Sequence, residues 1–219
     1  MITRLATLVA CAALLVAPSL GSAQAGSSAQ KNNTNTWAEQ DLARIVGSVR
    51  KQILSLSDYD VFDYLTFAIQ GHSVILNGYA SRPILKSEAE KVVKGIKGVE
   101  SVQNNIKVLP NSQMDDQIRV QELARIYGQP SLRKYTNAPI REDLYPTVGR
   151  MAGGITQDPP VGWFAIHIVV DNGHVILEGV VDNAMDAQIA NVQANTVPGV
   201  FSVTDNLMVP STAPKEKVK

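Results

Sequence analysis

One segment of this chain occurs twice, with an offset of 101 residues. Val74-Ile75-Leu76-Asn77-Gly78 returns as Val175-Ile176-Leu177-Glu178-Gly179, and the match continues without a gap as far as Val108 and Val209. Such self-similarity indicates that one small fold is used twice. The matched positions are apolar residues and turn glycines, which build a core, rather than acids, bases or metal ligands. The repeat therefore predicts a binding or scaffolding protein.

Hydrophobic spacing predicts the order helix, strand, strand, helix, strand in the first copy. The runs Val61–Ile69 and Val74–Ala80 alternate around Gly71-His72-Ser73, which predicts a hairpin, and Val99–Val108 forms the third strand. Two stripes at helical spacing mark the helices: Leu42, Ile45, Val46, Val49 and Ile53, and then Leu85, Ala89, Val92, Val93 and Ile96.

The second copy repeats this order. Asp171-Asn172-Gly173 predicts a tight hairpin turn, because Asn and Gly tolerate positive φ. Residues 137–162 interrupt this copy with four prolines, and such a loop is either functional or disordered. The fold class is therefore α+β, with two α-β-β-α-β units that each pack two helices on a three-stranded sheet. The stripes of its two helices are Val120, Leu123, Ala124 and Tyr127, and Met185, Ile189 and Val192.

The ends of the chain carry targeting and linker signals. Residues 1–25 combine a basic start, a short apolar run and Ala23-Gln24-Ala25, which predicts a secretory signal peptide and a periplasmic location. Leu8-Val9-Ala10-Cys11 resembles the end of a lipoprotein cleavage motif, but the apolar run continues past Cys11 and few apolar residues precede it, so lipoprotein anchoring through Cys11 is not expected. Residues 26–38 and 211–219 are predicted to be a disordered linker and tail, which leaves one domain at 39–110 and another at 112–210.

Charge is unevenly distributed although the whole chain is neutral. Residues 39–110 carry nine Lys/Arg and eight Asp/Glu, whereas residues 112–210 carry six and eleven. A nucleic-acid-binding protein concentrates basic residues, and the second half contradicts that pattern. Gly95-Ile96-Lys97-Gly98 has the G-x-x-G form used by some RNA-binding domains, but the equivalent Thr196-Val197-Pro198-Gly199 lacks it. We therefore expect no nucleic-acid partner.

Each copy resembles the BON domain of bacterial osmotic-stress and secretin-associated proteins. The resemblance implies two helices on a three-stranded sheet, a periplasmic location, and contact with anionic phospholipid or other envelope structures. Asp205 replaces the Asn found at the equivalent Asn104, a departure from the motif. The motif residues are Val74, Leu76, Gly78, Gly98, Val99, Val102, Asn104, Ile106 and Val108 in the first copy, and Val175, Leu177, Gly179, Gly199, Val200, Val203, Asp205, Leu207 and Val209 in the second.

These motif residues have structural roles that need no ligand. Valine and leucine two residues apart share one face of a strand and enter the core. Gly78 and Gly179 are expected to allow a close backbone approach or a bulge. Gly98 and Gly199 are expected to let the chain leave the second helix in a left-handed conformation.

Residues that could carry chemistry are few. His167, Asp171 and His174 are close in sequence, but a tight turn separates the two histidines and His167 is expected to face solvent. A zinc site needs three or four converging ligands, so no metal or other cofactor is expected. Hydrolase and phosphate-loop signatures are missing. The acid pairs Asp58/Asp60 and Asp115/Asp116 are expected to favour helix dipoles and solubility, so no catalytic residue and no enzyme activity is predicted.

The second helix of the first copy offers the candidate ligand site. Basic side chains near an anionic surface each contribute on the order of 1 kcal/mol, which makes phospholipid the first candidate ligand. Glu90 lies one turn from two of these lysines, so ordinary helix-surface ion pairs are the competing interpretation. An envelope-protein adaptor that uses the second domain and its loop is the alternative function. The candidate lipid-binding residues are Lys86, Lys91, Lys94 and Lys97.

Overall fold

The computed structural model describes residues 37–138 and 154–210. These residues all fall within one compact unit. The predicted signal peptide with Cys11, nearly all of the 26–38 linker, the centre of the 137–162 loop and the 211–219 tail lie outside the described residues. Within the described ranges, no helix is long and apolar enough to cross a bilayer.

The first repeat packs two helices against one sheet. Strands β1 (Tyr64–Gln70) and β2 (Ser73–Ala80) form the predicted antiparallel hairpin, and β3 (Ser101–Asn104) and β4 (Lys107–Val108) both pair with β2 in parallel. Helices α1 (Glu39–Leu54) and α2 (Pro83–Lys94) cover the apolar side. The core consists of Ile45, Val49, Ile53, Leu65, Val74, Leu76, Ala80, Leu85, Ala89, Val93 and Ile106.

The predicted third strand of the first repeat is broken in two. Asn104 Oδ1 accepts a hydrogen bond from the Ile106 amide at 3.2 Å, and its Nδ2 donates to the Lys86 carbonyl at 2.9 Å. The strand stops at Asn104 and resumes at Lys107, and this side chain bonds the backbone at the break.

The second repeat has the same order with an insertion. Helix α3 (Gln113–Gly128) is followed by a 3₁₀ turn (Arg133–Tyr135), the hairpin β5 (Ile166–Asp171) and β6 (His174–Val180), helix α4 (Ala184–Ala194) and strand β7 (Ser202–Met208). The sheet order is β5-β6-β7, with β7 parallel to β6. Asn172 and Gly173 both have positive φ, 53° and 80°, as the turn prediction required. The predicted α+β architecture is confirmed.

In the second repeat the predicted apolar stripe of α4 is wrong, whereas that of α3 is confirmed at Leu123 and Tyr127, which are fully buried, but is incomplete. In α4 the buried residues are Asp186, Ala190 and Ala194, whereas Met185 and Val192 are exposed. In α3, charged residues occupy much of the buried face: Asp115, Asp116, Arg119 and Glu122. These side chains enter the interior because most of them find partners there. Asp115 accepts hydrogen bonds from the Asn172 and Gly173 amides, and Arg119 donates to Asp116 and to the Val170 carbonyl.

The start of the predicted first strand belongs to the second repeat. Val61 and Phe62 precede β1 and are fully buried in the core of the second repeat. The prediction that Val61 begins a strand of the first sheet is wrong, because apolar alternation does not specify which of two cores accepts a side chain. This segment links the two repeats.

Strand β5 lies across one end of the first sheet. Tyr64, Tyr79 and Lys107 form a row across β1, β2 and β4. The two ends of this row contact β5: the Tyr64 ring lies 5.5 Å from the His167 ring, and Lys107 forms an ion pair with Asp171. Because His167 and Asp171 are four residues apart, β5 crosses the strands of the first sheet rather than extending it.

Candidate functional site

A basic groove lies between the two helices of the first repeat. It has a volume of about 450 Å³ and is open to solvent. Helix α1 contributes Arg44, Ser48 and Gln52, which recur every four residues and therefore lie on one side of the helix. The opposite wall is the end of α2 and the turn that follows it, with Lys91, Val92, Gly95, Ile96 and Lys97.

Arg44 connects the two walls. Its Nη1 donates to the Lys97 carbonyl at 3.2 Å, and its Nη2 contacts Asp41 Oδ1 at 3.2 Å. Half of the Arg44 side chain remains exposed, so the guanidinium keeps donors available. The lysines at positions 91 and 97 are exposed. Three cations thus border one cleft whose floor includes the aliphatic side chains of Val92 and Ile96.

The four candidate lysines separate into two pairs. Lys91 and Lys97 line the groove, whereas Lys86 and Lys94 do not. Lys94 Nζ lies 2.5 Å from Glu90 Oε1, and this ammonium is the main reason that the pKa of Glu90 is lowered. The helix-surface ion pair expected as the competing interpretation is therefore present, but it involves Lys94 alone among the described contacts.

Arg44 is the member of this site that sequence reasoning missed. The signal was available in the spacing of Arg44, Ser48 and Gln52 on the polar side of an amphipathic helix. That spacing alone does not reveal that α1 and α2 lie side by side with their ends in register. The contact between Arg44 and the Lys97 carbonyl supplies this information.

The second repeat lacks the three groove cations at the equivalent positions, although the exposed Arg125 of α3 stands where the first repeat has Gln52. The repeat offset of 101 places Val192 and Pro198 where the first repeat has Lys91 and Lys97. In α3 an offset of 73 applies, because Ile118 packs against Gly199 as Ile45 packs against Gly98. This offset places Gln117 where the first repeat has Arg44. The three groove cations are replaced by neutral residues.

The motif residues build the two cores. Val74, Leu76, Val175 and Leu177 are fully buried, while Val99, Val102, Val200 and Val203 pack at the core margins. Gly78 and Gly179 have φ of 115° and 126°. A Cβ at Gly78 would lie 1.9 Å from the Tyr64 carbonyl oxygen, and a Cβ at Gly179 would lie 2.0 Å from the Ala165 carbonyl oxygen. Gly98 and Gly199 also have positive φ.

A family model for the BON domain matches two segments of the chain, residues 41–110 and 154–211. The chain belongs to the BON domain family. The first segment covers nearly all of the first repeat, and the second begins after α3. No curated protein matches the chain.

Solved structures of CdsD, described as a structural protein of the type III secretion system of Chlamydia trachomatis, are similar to parts of this BON protein. One is 16% identical, covers 76% of this chain and 92% of its own, and has a TM-score of 0.24. The other, its C-terminal domain, is 15% identical, covers 79% of this chain and 99% of its own, and has a TM-score of 0.26.

The three histidines lie at separate places in the BON repeats. His72 stacks on Trp37 and contacts Glu100 Oε1 at 2.8 Å, and His174 contacts Ser202 Oγ at 2.7 Å. His167 does not face solvent as predicted: it lies between the repeats with Tyr59 and Tyr64 each 5.5 Å away. Across residues 37–138 and 154–210, no group of three or more His, Cys, Asp or Glu could hold a metal ion.

The two acid pairs of the BON repeats are structural and largely buried. Asp60 is near Arg82 and accepts from the Phe62 amide at 2.7 Å, while Arg82 also pairs with Asp58 at 3.0 Å. Asp115 caps the Asn172-Gly173 turn. The expected position near a helix dipole is confirmed for Asp115 and Asp116, which lie in the first turn of α3. The expected contribution to solubility is wrong for Asp60, Asp115 and Asp116, because their oxygens bind backbone amides or arginine away from water.

Proposed function

We propose that this protein is a non-catalytic, envelope-associated binding protein whose first BON repeat contacts anionic phospholipid through the groove between α1 and α2. The observation that supports this proposal is the convergence of Arg44, Lys91 and Lys97 on one open cleft. The resemblance to BON proteins of the bacterial envelope points to the same class of ligand.

The chemistry of the groove suits a phosphate group. A guanidinium binds phosphate oxygens through two N–H groups at once, and lysine ammonium groups add charge without fixed geometry. Ser48 and Gln52 add neutral hydrogen-bonding groups on the α1 wall. Each cation near an anionic membrane contributes on the order of 1 kcal/mol, so three together are enough for reversible binding.

The periplasmic location belongs to this proposal. It is supported by the signal-peptide pattern of residues 1–25 and by family resemblance. The replacement of the three groove cations by neutral residues in the second repeat favours peripheral contact, with only the first repeat against the membrane.

Vesicle sedimentation with paired charge reversals tests the groove. Lys91→Glu/Lys97→Glu removes two groove cations, and Lys86→Glu/Lys94→Glu makes the same charge change on the same helix outside the groove. Binding to phosphatidylglycerol vesicles should fall about tenfold or more for the groove variant and much less for the control. Binding by the wild type should weaken with added salt and be absent for phosphatidylcholine vesicles.

Equal losses in both variants would show that net charge, rather than the groove, drives binding. Wild-type protein that ignores anionic vesicles at low salt would overturn the lipid proposal altogether.

An envelope-protein adaptor is the second candidate. It is favoured by the end of the inserted loop, where Val161 is 90% exposed and Trp163 is 56% exposed. Exposed apolar residues of this kind often mark a protein contact. If this protein is an adaptor, the double variant Val161→Ser/Trp163→Ser should no longer capture an envelope protein in a pull-down experiment. Its binding to vesicles should be unchanged.

A further inference from the structure

Helix α3 carries a carboxyl group in a core position. Glu122 is fully buried, and neither of its carboxyl oxygens has a hydrogen-bond partner among the described residues. Leaving a buried polar group unsatisfied costs free energy, and leaving it charged costs much more. A carboxyl group in this position is stable only if it is uncharged.

The first repeat shows what this position normally holds. With Ile45 and Ile118 in register, Val49 of α1 corresponds to Glu122 of α3. Val49 is fully buried in the first core. The second repeat therefore has an ionisable group where its fold accepts a plain aliphatic side chain, so Glu122 is not required for packing.

Charged and titratable groups on the surrounding elements are bonded elsewhere. On α3, the two Nη atoms of Arg119 donate to Asp116 and to the Val170 carbonyl, while its Nε has no hydrogen-bond partner among the described residues and does not reach Glu122. Tyr127 donates to the Ile166 carbonyl. From the neighbouring elements, Tyr135 of the 3₁₀ turn donates to Asp186 of α4, and Lys134 pairs with Asp182 and Asp186. The strand facing α3 presents Ile166, Ile168 and Val170 on this side, and Arg125 on α3 is exposed.

We propose that Glu122 is an uncharged carboxylic acid in the folded protein at neutral pH, and that its ionisation is an alkaline switch that loosens α3 from the second repeat. No cation or donor among the described residues bonds either oxygen of Glu122, so the charge that ionisation would place in this core is not compensated by a direct contact. Water or a movement of α3 must then supply the solvation.

The direction of the pH effect follows from burial. Burial raises the pKa of Glu122 to about 8, above the value of about 4.3 that glutamate has in an unfolded chain. A group whose folded pKa is raised contributes stability below its unfolded pKa, and that stability is lost as pH rises through the folded pKa. Between these two values, the folded protein should weaken with rising pH.

Infrared spectroscopy and denaturation of the full chain test this proposal. The difference spectrum between wild type and Glu122→Gln should contain the C=O stretch of a protonated carboxylic acid at about pH 7, and this band should disappear near about pH 9. The denaturation midpoint of wild type should drop relative to Glu122→Gln between about pH 4.3 and about pH 8, and the difference should stay level above that. Glu122→Val places in the second repeat the residue type that the first repeat has at Val49. Its denaturation midpoint should lack the same pH-dependent drop.

The matched control is Glu178→Gln. This carboxyl group is half-buried and accepts a hydrogen bond from Asn206. Burial raises its pKa as well, but it is not enclosed as Glu122 is, so its removal should leave most of the pH-dependent loss in place. The proposal is overturned if the protonated-acid band is missing at neutral pH. Parallel pH curves for wild type, Glu122→Gln and Glu122→Val would overturn it as well.

Discussion

The carbonyl of Val61 accepts a hydrogen bond of 2.8 Å from the amide of Ile168. This bond joins the approach to the first hairpin with an edge strand of the second sheet. The neighbouring Phe62 side chain is buried in the second core. The two repeats are therefore joined by residues that precede the first hairpin and pack in the second core, and not merely by a linker.

Phe62→Ala should destabilise both repeats together. Removing a fully buried phenylalanine costs about 3 to 5 kcal/mol through lost burial and the cavity left behind. Phe62 belongs to the first repeat by sequence and to the second core by packing. Urea denaturation of the variant should therefore show a single transition, with its midpoint at a lower urea concentration than that of the wild type. Phe201→Ala, at a position 69% exposed, is the control and should change stability by less than about 1 kcal/mol. Two separate urea-unfolding transitions in the wild type would contradict this coupling of the two repeats.

Gly78→Ala should be strongly destabilising. Its φ of 115° disfavours any side chain, and an added Cβ would lie 1.9 Å from the Tyr64 carbonyl oxygen, so the strand pair must shift. We expect a loss of about 3 kcal/mol or more in the free energy of unfolding. Gly47→Ala is the matched control, because nothing lies near its Cβ position in helix α1. That change should stabilise by about 0.5 to 1 kcal/mol, and thermal denaturation measures both effects.

His167 should make the folded protein sensitive to acid. Burial between the repeats lowers the pKa of His167 from 6.5 to about 4. With the folded pKa below the unfolded pKa, stability is complete above about pH 6.5 and falls as pH drops toward about 4, by at most about 3 kcal/mol. Burial raises the pKa of Asp60 and Asp63 beside it, which acts in the opposite direction.

Because the two aspartates act in the opposite direction, the contribution of His167 to acid sensitivity is measured as the difference between wild type and a variant that lacks the imidazole. His167→Gln should lose less stability than wild type between about pH 6.5 and about pH 4, in urea denaturation at each pH. Identical acid profiles would show that the imidazole is not desolvated in the interface.

Sequence reasoning found the features that both repeats share. The glycines at 78 and 179 were expected to allow a close backbone approach, and both do so against a neighbouring carbonyl. Local pattern is sufficient here because the constraint lies in the backbone of adjacent strands. The apolar stripe of α1 was found in part, since Ile45, Val49 and Ile53 are buried at helical spacing, whereas Leu42 and Val46 are exposed.

Sequence reasoning failed where partners are distant along the chain. The burial of Arg119 depends on the Val170 carbonyl, 51 residues away, and no local period contains that information. His167 was assigned to solvent because it alternates with Ile166 and Ile168, which is correct for its own sheet. The other face of that sheet is covered by Tyr59 and Tyr64 of the first repeat, which alternation cannot reveal.

The most direct measurement for the proposed ligand is an NMR titration of the protein with a short-chain phosphatidylglycerol. The account predicts shifts concentrated at the amides of Ser48, Gln52 and Gly95 in the groove of the first repeat. The equivalent amides of Gln121, Arg125 and Thr196 in the second repeat should stay unchanged. Shifts confined to the second repeat, or spread equally over both, would contradict it.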